Sequence, residues 1–311
     1  MPRAGSTWLQ RVISSHPDVA TCAEPWILLP LLSAMGQCRT VAEYDQELCV
    51  LALRSFLGDD GDDELWKRNY SRIVREASLS CYAERAYGKP YFLDKTPRYS
   101  LICNQVIDTF PNGKYIFLWR HPISVVASIC KTWGGSQWSH RYDVDMIAGL
   151  REMLSAVDRC QSQILEVQYE KLILSPVETL ETISSYLGIQ ITMTQLADAQ
   201  TRKVEGRMGD PNQYSQPSAA ISDWHIAAKE FVTTRFRRKW LINRLSNIGQ
   251  VAMSRMGYSL DDAIASIETA ESRGLGASEA FAYYSVLARR LAIEKASNSK
   301  HYRSSLLFSY R

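Results

Sequence analysis

Two kinds of apolar pattern alternate along this chain. Short dense runs read as buried strands: Tyr91-Phe92-Leu93, the stretch from Lys114 to Trp119, and the stretch from Ile164 to Gln168. Between them, apolar residues recur at helical spacing. Trp8, Leu9, Val12 and Ile13 predict an opening helix, which ends near Ser15 because His16 precedes Pro17 and is pushed out of the helical region. Residues 27–86 read as mostly helical. The dense run from Ile27 to Leu32, interrupted by Pro30, is expected to be buried whatever its type. Val125, Val126 and Ile129 mark a helix after the second run, with Pro122 in its first turn. Val177, Leu180, Ile183 and Leu187 mark another after the third. Ser175-Pro176-Val177-Glu178 reads as its capping box and Gly188 as its stop. An amphipathic helical region follows over 226–256, with Phe231, Trp240, Leu241, Leu245 and Ile248 as expected core. Strand, polar end and helix recur three times, which predicts an α/β fold with a parallel sheet.

The polar residues fall where such a fold places ligands, at the carboxyl ends of strands. Pro2-Arg3-Ala4-Gly5-Ser6-Thr7-Trp8 is a small flexible loop running into a helix, with Ser6 and Thr7 where a cap is expected. Free N–H groups, the helix dipole, two hydroxyls and a guanidinium make it an anion cradle. It lacks the length and the Lys of a Walker loop. A phosphate-binding loop normally follows a buried strand, yet only Met1 and Pro2 precede this one, so a short apolar strand is expected upstream. Glu24, in an otherwise apolar stretch, is either a helix-start carboxylate or a general base. Lys95 and Arg98 follow the first predicted strand as anion partners. Arg120, His121 and Pro122 close the second, with Ser128 two turns on; His121 reads as structural. Tyr169-Glu170 stand at the end of the third. Residues 131–139, with Trp133, Gly134, Gly135 and Trp138, read as an aromatic loop able to cover a substrate. Thr201 to Pro217 reads as a flexible basic loop. The cluster Arg235, Arg237, Arg238, Lys239 reads as a solvated face.

Composition narrows the classes. The chain has 311 residues, 46% hydrophobic and 22% charged, with net charge +3. That is an ordinary globular composition, and it does not imply a general nucleic-acid binder. Seven cysteines without C-x-x-C spacing fit reduced thiols better than a disulfide framework or a zinc site, so a cytoplasmic protein is expected. No apolar run is long enough for a membrane span, no metal cluster is evident, and the Asp59–Asp63 stretch lacks the spacing of a calcium loop.

As a set, Pro2 to Trp8, Glu24-Pro25, Trp119-Arg120-His121-Pro122 through Ser128, and Tyr169-Glu170-Lys171-Leu172 through Leu187-Gly188-Ile189 resemble the sulfotransferase family that uses 3′-phosphoadenylyl sulfate (PAPS). The resemblance spans roughly residues 1–260. It implies a P-loop-like three-layer sandwich with a central parallel sheet over 1–260 and a helical C-terminal extension over 261–311. It implies 5′-phosphosulfate binding by Arg3, Ala4, Gly5, Ser6, Thr7 and Trp8, and 3′-phosphate binding by Arg120 and Ser128. Tyr169 would lie near the adenine, and Arg207 and Gly209 in a loop that closes over the nucleotide. Arg3, Lys95 and Glu24 would be catalytic. No His follows Lys95 where the His-using branch would supply one, so Glu24 is matched to the base of the glutamate-using branch. The implied acceptor is a hydroxyl on a small molecule, glycan, lipid or peptide, with no metal, nucleic acid or stable membrane insertion. A non-catalytic nucleotide-binding protein and an ATP-dependent P-loop kinase-like enzyme are the alternatives. The second would want a Walker Lys and magnesium-binding acids.

Overall fold

A computed structural model describes residues 1–33, 46–57, 61–133, 138–199, 202, 204 and 223–297. The first half runs α1 (Ser6–Ser14), β1 (Val19–Thr21), α2 (Leu28–Ser33), α3 (Gln46–Leu57), α4 (Asp63–Ala86), β2 (Tyr91–Leu93), a 3₁₀ turn (Pro97–Leu101) and α5 (Cys103–Thr109). It continues through β3 (Tyr115–Trp119), α6 (Pro122–Trp133), α7 (Trp138–Cys160), β4 (Ile164–Gln168), α8 (Tyr169–Leu174), α9 (Pro176–Leu187) and α10 (Met193–Asp198). The last part is helical: α11 (Trp224–Phe231), α12 (Arg235–Ile248), α13 (Gln250–Arg255), α14 (Leu260–Thr269) and α15 (Ala277–Ser297).

All pairing among the described strands is parallel, as the strand–helix alternation requires. The three apolar runs form β2, β3 and β4. Val19–Thr21 is a further strand that the sequence did not announce, because Val-Ala-Thr is not a dense run of bulky apolar residues like the one that marks β2. Thr21 Oγ1 donates to the Leu93 carbonyl at 2.7 Å and ties β1 to β2.

The expected single central sheet is not seen. The described strands form two separate pairs, β1–β2 and β3–β4. A cavity of about 550 Å³ is lined by residues of both β2 and β3.

Three apolar clusters hold the elements. One packs Leu9, Val12 and Ile13 of α1 against Val167 of β4 and against Leu180 and Ile183 of α9. A second gathers β3, α6, α7 and the C-terminal helices; Ala263 and Ile267 of α14 are buried in it with Val125 and Ile129. In the third, Leu28 and Leu32, from the dense run around Pro30, meet Val74 and Ile102.

Several local expectations change. Ser175 is the N-cap of α9 but makes no side-chain cap bond, so no capping box forms there; Pro176 in the first turn and left-handed Gly188 define the ends instead. A capping box occurs at Thr192–Gln195. The basic cluster is not simply a solvated face. Arg237 pairs with Glu279 at 2.6 Å and Arg238 donates to the Ala270 carbonyl, so it clamps the last helices. α6 reaches Trp133 and α7 begins at Trp138, so both ends of the expected aromatic loop are helical, while 134–137 lie outside the described residues. Among the described residues, no helix is long and apolar enough to cross a membrane, and Cys22, Cys81, Cys103, Cys130 and Cys160 are free thiols.

Candidate active site

The first loop is shaped by two left-handed residues, Arg3 (φ 63) and Gly5 (φ 92). Glycine is required at position 5 twice over. An L-residue is strained at that φ, and an added Cβ would stand 2.3 Å from Tyr169 Cδ2. Gly5, not Ser6 or Thr7, is the N-cap of α1, and no side chain caps the helix. Ser6 and Thr7 therefore stand inside the first turn. Their hydroxyls are left for other partners, and the positive end of the helix stays open to an anion.

One flank of the loop carries the carboxylate. Lys95, just past the end of β2, donates to Glu24 Oε1 at 2.8 Å and to Thr7 Oγ1 at 3.2 Å. Trp26 Nε1 donates to Glu24 Oε2 at 3.2 Å, so both carboxylate oxygens are engaged. The Lys95 and Glu24 side chains are only 10% and 13% exposed, which strengthens the pair relative to a surface bridge. Behind them, half-buried Asp94 accepts from Tyr82, Thr96 and Tyr99. Burial raises the Asp94 pKa and the three hydroxyls oppose that rise. Burial beside Asp94 also pushes the Tyr82 and Tyr99 phenols up, keeping them as donors. This rigid cluster fixes the backbone that presents Lys95.

The other flank carries the guanidinium groups. Arg3 Nε donates to Ser128 Oγ at 2.9 Å, and the Arg3 guanidinium lies over the Trp133 ring, 5.7 Å from its centroid. Arg120, past the end of β3, donates to the Arg3 carbonyl at 2.9 Å and stacks on the Tyr169 ring at 4.4 Å. Its Nε is buried without a partner, and desolvation lowers its pKa. A buried cation with an unused donor is costly, and a phosphate oxygen would relieve it. Tyr169, touching both Gly5 and Arg120, joins the two flanks.

The sequence named most of these residues but not their supports. Glu170 accepts from the His121 backbone N–H at 3.0 Å and from the Tyr258 hydroxyl at 2.6 Å, bracing the segment after Arg120. Its adjacency to Tyr169 was the only hint. Trp26, Tyr82 and Tyr258 carried no signal, since an aromatic residue near a strand end reads first as core. His121 is structural as expected: Nδ1 accepts from the Ile123 N–H at 3.2 Å, and the ring stacks on Trp224. Burial pushes its pKa down to about 3. Arg98 is corrected. It pairs with buried Asp145 at 3.3 Å and lies over Tyr142 instead of joining the anion site. Arg207 and Gly209 lie outside the described residues. Among those described, no group of three or more His, Cys, Asp or Glu side chains could hold a metal.

A helix start with no side-chain cap, flanked by a Lys–carboxylate pair and a pair of arginines, suits the binding of an anionic group beside a carboxylate. The profile of the "Sulfotransferase family" matches residues 1–193, and the chain belongs to that family. Nodulation protein NoeE of Sinorhizobium fredii is 28% identical over 209 residues, covering 60% of this chain and 48% of NoeE. The chain thus spans about half the length of that relative. A putative protein-tyrosine sulfotransferase of Caenorhabditis briggsae is 24% identical over 202 residues, covering 63% of this chain and 66% of the relative. Among solved structures, the sulfotransferase domain of the Synechococcus PCC 7002 olefin synthase superposes with a TM-score of 0.48 at 22% identity, over 72% of this chain and 84% of that domain.

Proposed function

We propose that this protein transfers a sulfuryl group from PAPS to an acceptor hydroxyl. The observation that carries the reading is the convergence on one loop of Lys95–Glu24 from the end of β2 and Arg120–Ser128 from β3 and α6. PAPS, when bound, supplies a sulfuryl group on a phosphate leaving group. The buried, unpartnered Arg120 Nε and the uncapped start of α1 fit the two anionic ends of such a molecule. Arg120 and Ser128 would hold the 3′-phosphate. Arg3, Gly5, Ser6 and Thr7, flanked by Ala4 and Trp8, would hold the phosphosulfate. Arg207 and Gly209 are assigned to the loop that closes over the nucleotide.

Glu24 takes the proton of the acceptor hydroxyl as its oxygen bonds to sulfur, while the bond from sulfur to the phosphate oxygen breaks. Lys95, which bridges Thr7 and Glu24, would stabilise charge building on the leaving oxygen. Positioning and charge neutralisation do most of such a reaction, as in phosphoryl transfer. A kinase-like reading is not favoured, since the first loop has no Walker Lys.

The test is calorimetric titration with adenosine 3′,5′-bisphosphate against 5′-AMP. Tight binding that depends on the 3′-phosphate, and that Arg120→Ala abolishes, is expected. Equal binding of both nucleotides would remove the Arg120–Ser128 assignment.

A further inference from the structure

Glu24 sits in a stretch of chain that is pinned on both sides. Before it, Gln10 of α1, itself buried, donates from Nε2 to the Cys22 carbonyl at 2.8 Å and to Thr21 Oγ1 at 2.7 Å. After it, the Leu28 N–H donates to the Tyr99 hydroxyl at 3.1 Å, and the Leu28 side chain is buried in the cluster with Val74 and Ile102. Tyr99 in turn donates to Asp94, the neighbour of Lys95. The backbone that carries Glu24 and the backbone that carries Lys95 are thus joined independently of their ion pair.

Pinning the backbone does not orient the carboxylate. The last torsion of a glutamate side chain is a broad two-fold rotor. Lys95 fixes one oxygen, Oε1, at 2.8 Å, and a single contact leaves the carboxylate plane free to turn about it. The second contact comes from half-buried Trp26, whose Nε1 donates to Oε2 at 3.2 Å. The backbone makes that return possible: Trp26 has φ 55, in the left-handed region. A bulky L-residue is an outlier there, and such a conformation persists where the surrounding structure over-determines it. Here the rigid ring of Pro25 precedes it and the anchored Leu28 follows it. An indole N–H is a donor only and carries no charge. It holds the second oxygen without neutralising the carboxylate, as a second cation would.

We propose that Trp26 is the positioning residue of this site: its indole N–H fixes the plane of the Glu24 carboxylate so that an open lone pair meets the acceptor hydroxyl. The role rests on the reading of Glu24 as the base. In the step it serves, the acceptor oxygen bonds to sulfur and its proton passes to the carboxylate. The bond between sulfur and the phosphate oxygen breaks, and its electron pair leaves with the phosphate. Trp26 forms no bond in that step. It acts through Glu24, and it sets the direction from which a hydroxyl is deprotonated.

The experiment follows release of adenosine 3′,5′-bisphosphate from PAPS by the 311-residue chain, with phenol and methanol as acceptors. Trp26→Phe keeps an aromatic ring and removes the N–H. Trp26→His returns a ring N–H at the corresponding atom. Turnover is expected to fall roughly 10- to 100-fold in Trp26→Phe and to recover in large part in Trp26→His at about pH 8, where an imidazole is neutral. Calorimetric affinity for adenosine 3′,5′-bisphosphate is expected to match the parent's in both variants, which also shows that both fold. In a Glu24→Gln background, Trp26→Phe is expected to cause no further loss, because the two residues serve one step. Unchanged turnover in Trp26→Phe, the same fold loss with and without Glu24, or no recovery with His would overturn the positioning role. Loss of bisphosphate binding in Trp26→Phe would assign the residue to the fold and overturn it as well. A Glu24→Gln variant as active as the parent would overturn the base reading, and the role of Trp26 with it. So would a parent that releases no bisphosphate with either acceptor. A fully active Trp26→Phe beside an inactive Glu24→Gln removes the positioning role alone, so the two readings fail separately.

Discussion

Glu24 and Gly5 show how single residues acquire their roles here. Nothing in Glu24's local sequence separates a helix-start carboxylate from a base. Lys95 at 2.8 Å and Trp26 at 3.2 Å make it an oriented, nearly buried carboxylate beside the anion loop. Glu24→Gln keeps the shape and loses the proton acceptor. Turnover should fall by roughly 100- to 10,000-fold while affinity for adenosine 3′,5′-bisphosphate is retained, as steady-state rates and titration would show. Turnover close to the parent's would place the base elsewhere. Gly5 is a backbone requirement. Gly5→Ala puts a methyl group against the Tyr169 ring and asks an L-residue for φ near 92. A cost of about 1–2 kcal/mol from the backbone alone, with more from the clash, should appear in urea denaturation together with weakened nucleotide binding. His121 stands outside the proposed chemistry, and its burial couples stability to pH. Its pKa is about 3 folded and near 6.5 unfolded, so between these values the unfolded chain binds the extra proton. The stability held by neutral His121 is complete above about pH 6.5 and is lost as pH falls from there toward 3. Denaturation at pH 7 and pH 5 should show a loss in the parent that His121→Gln largely removes; an unchanged slope would mean that the ring titrates freely in the fold.

Elements marked by dense or periodic apolar residues were legible, and their ends were less so. β2, β3 and β4 follow from dense apolar runs flanked by turns, and α1 from its spacing. β1 was missed because its three residues gain their pairing from β2, not from any pattern of their own. Capping was misplaced twice. A capping box needs a particular φ/ψ as well as the residues that spell it; Ser175 lacks the bond, while Thr192 and Gln195 make it. At the start of α1 the uncapped turn suits the proposed anion, since a side chain satisfying those N–H groups would compete with it. The strand ends matter most at this scale. β2 delivers Lys95 and β3 delivers Arg120 to the same loop, so residues distant in sequence flank a single site.

Across the whole molecule, the C-terminal helices share a hydrophobic core with β3, α6 and α7. Ile267 of α14 is fully buried in the cluster that contains Val125 and Ile129 of α6. Tyr258 holds Glu170, and Gln168 Nε2 donates to the Met256 carbonyl at 2.7 Å. Ile267→Ala should therefore cost about 2–5 kcal/mol. Unfolding should stay coincident by near- and far-ultraviolet circular dichroism; a separate early transition would mean that α14 melts alone. The sequence by itself determined the parallel strand–helix alternation, three of the four strand ends and the helix that follows the first loop. These depend on local periodicity, turn chemistry and the rule that strand termini carry ligands. Only the tertiary structure decided that Arg98 belongs to Asp145, that Glu24 belongs to Lys95, that Glu170 braces the segment after Arg120, and that β2 and β3 stand apart. Each of those is a contact between residues far apart in the chain, fixed by how the layers pack, and no local pattern encodes it.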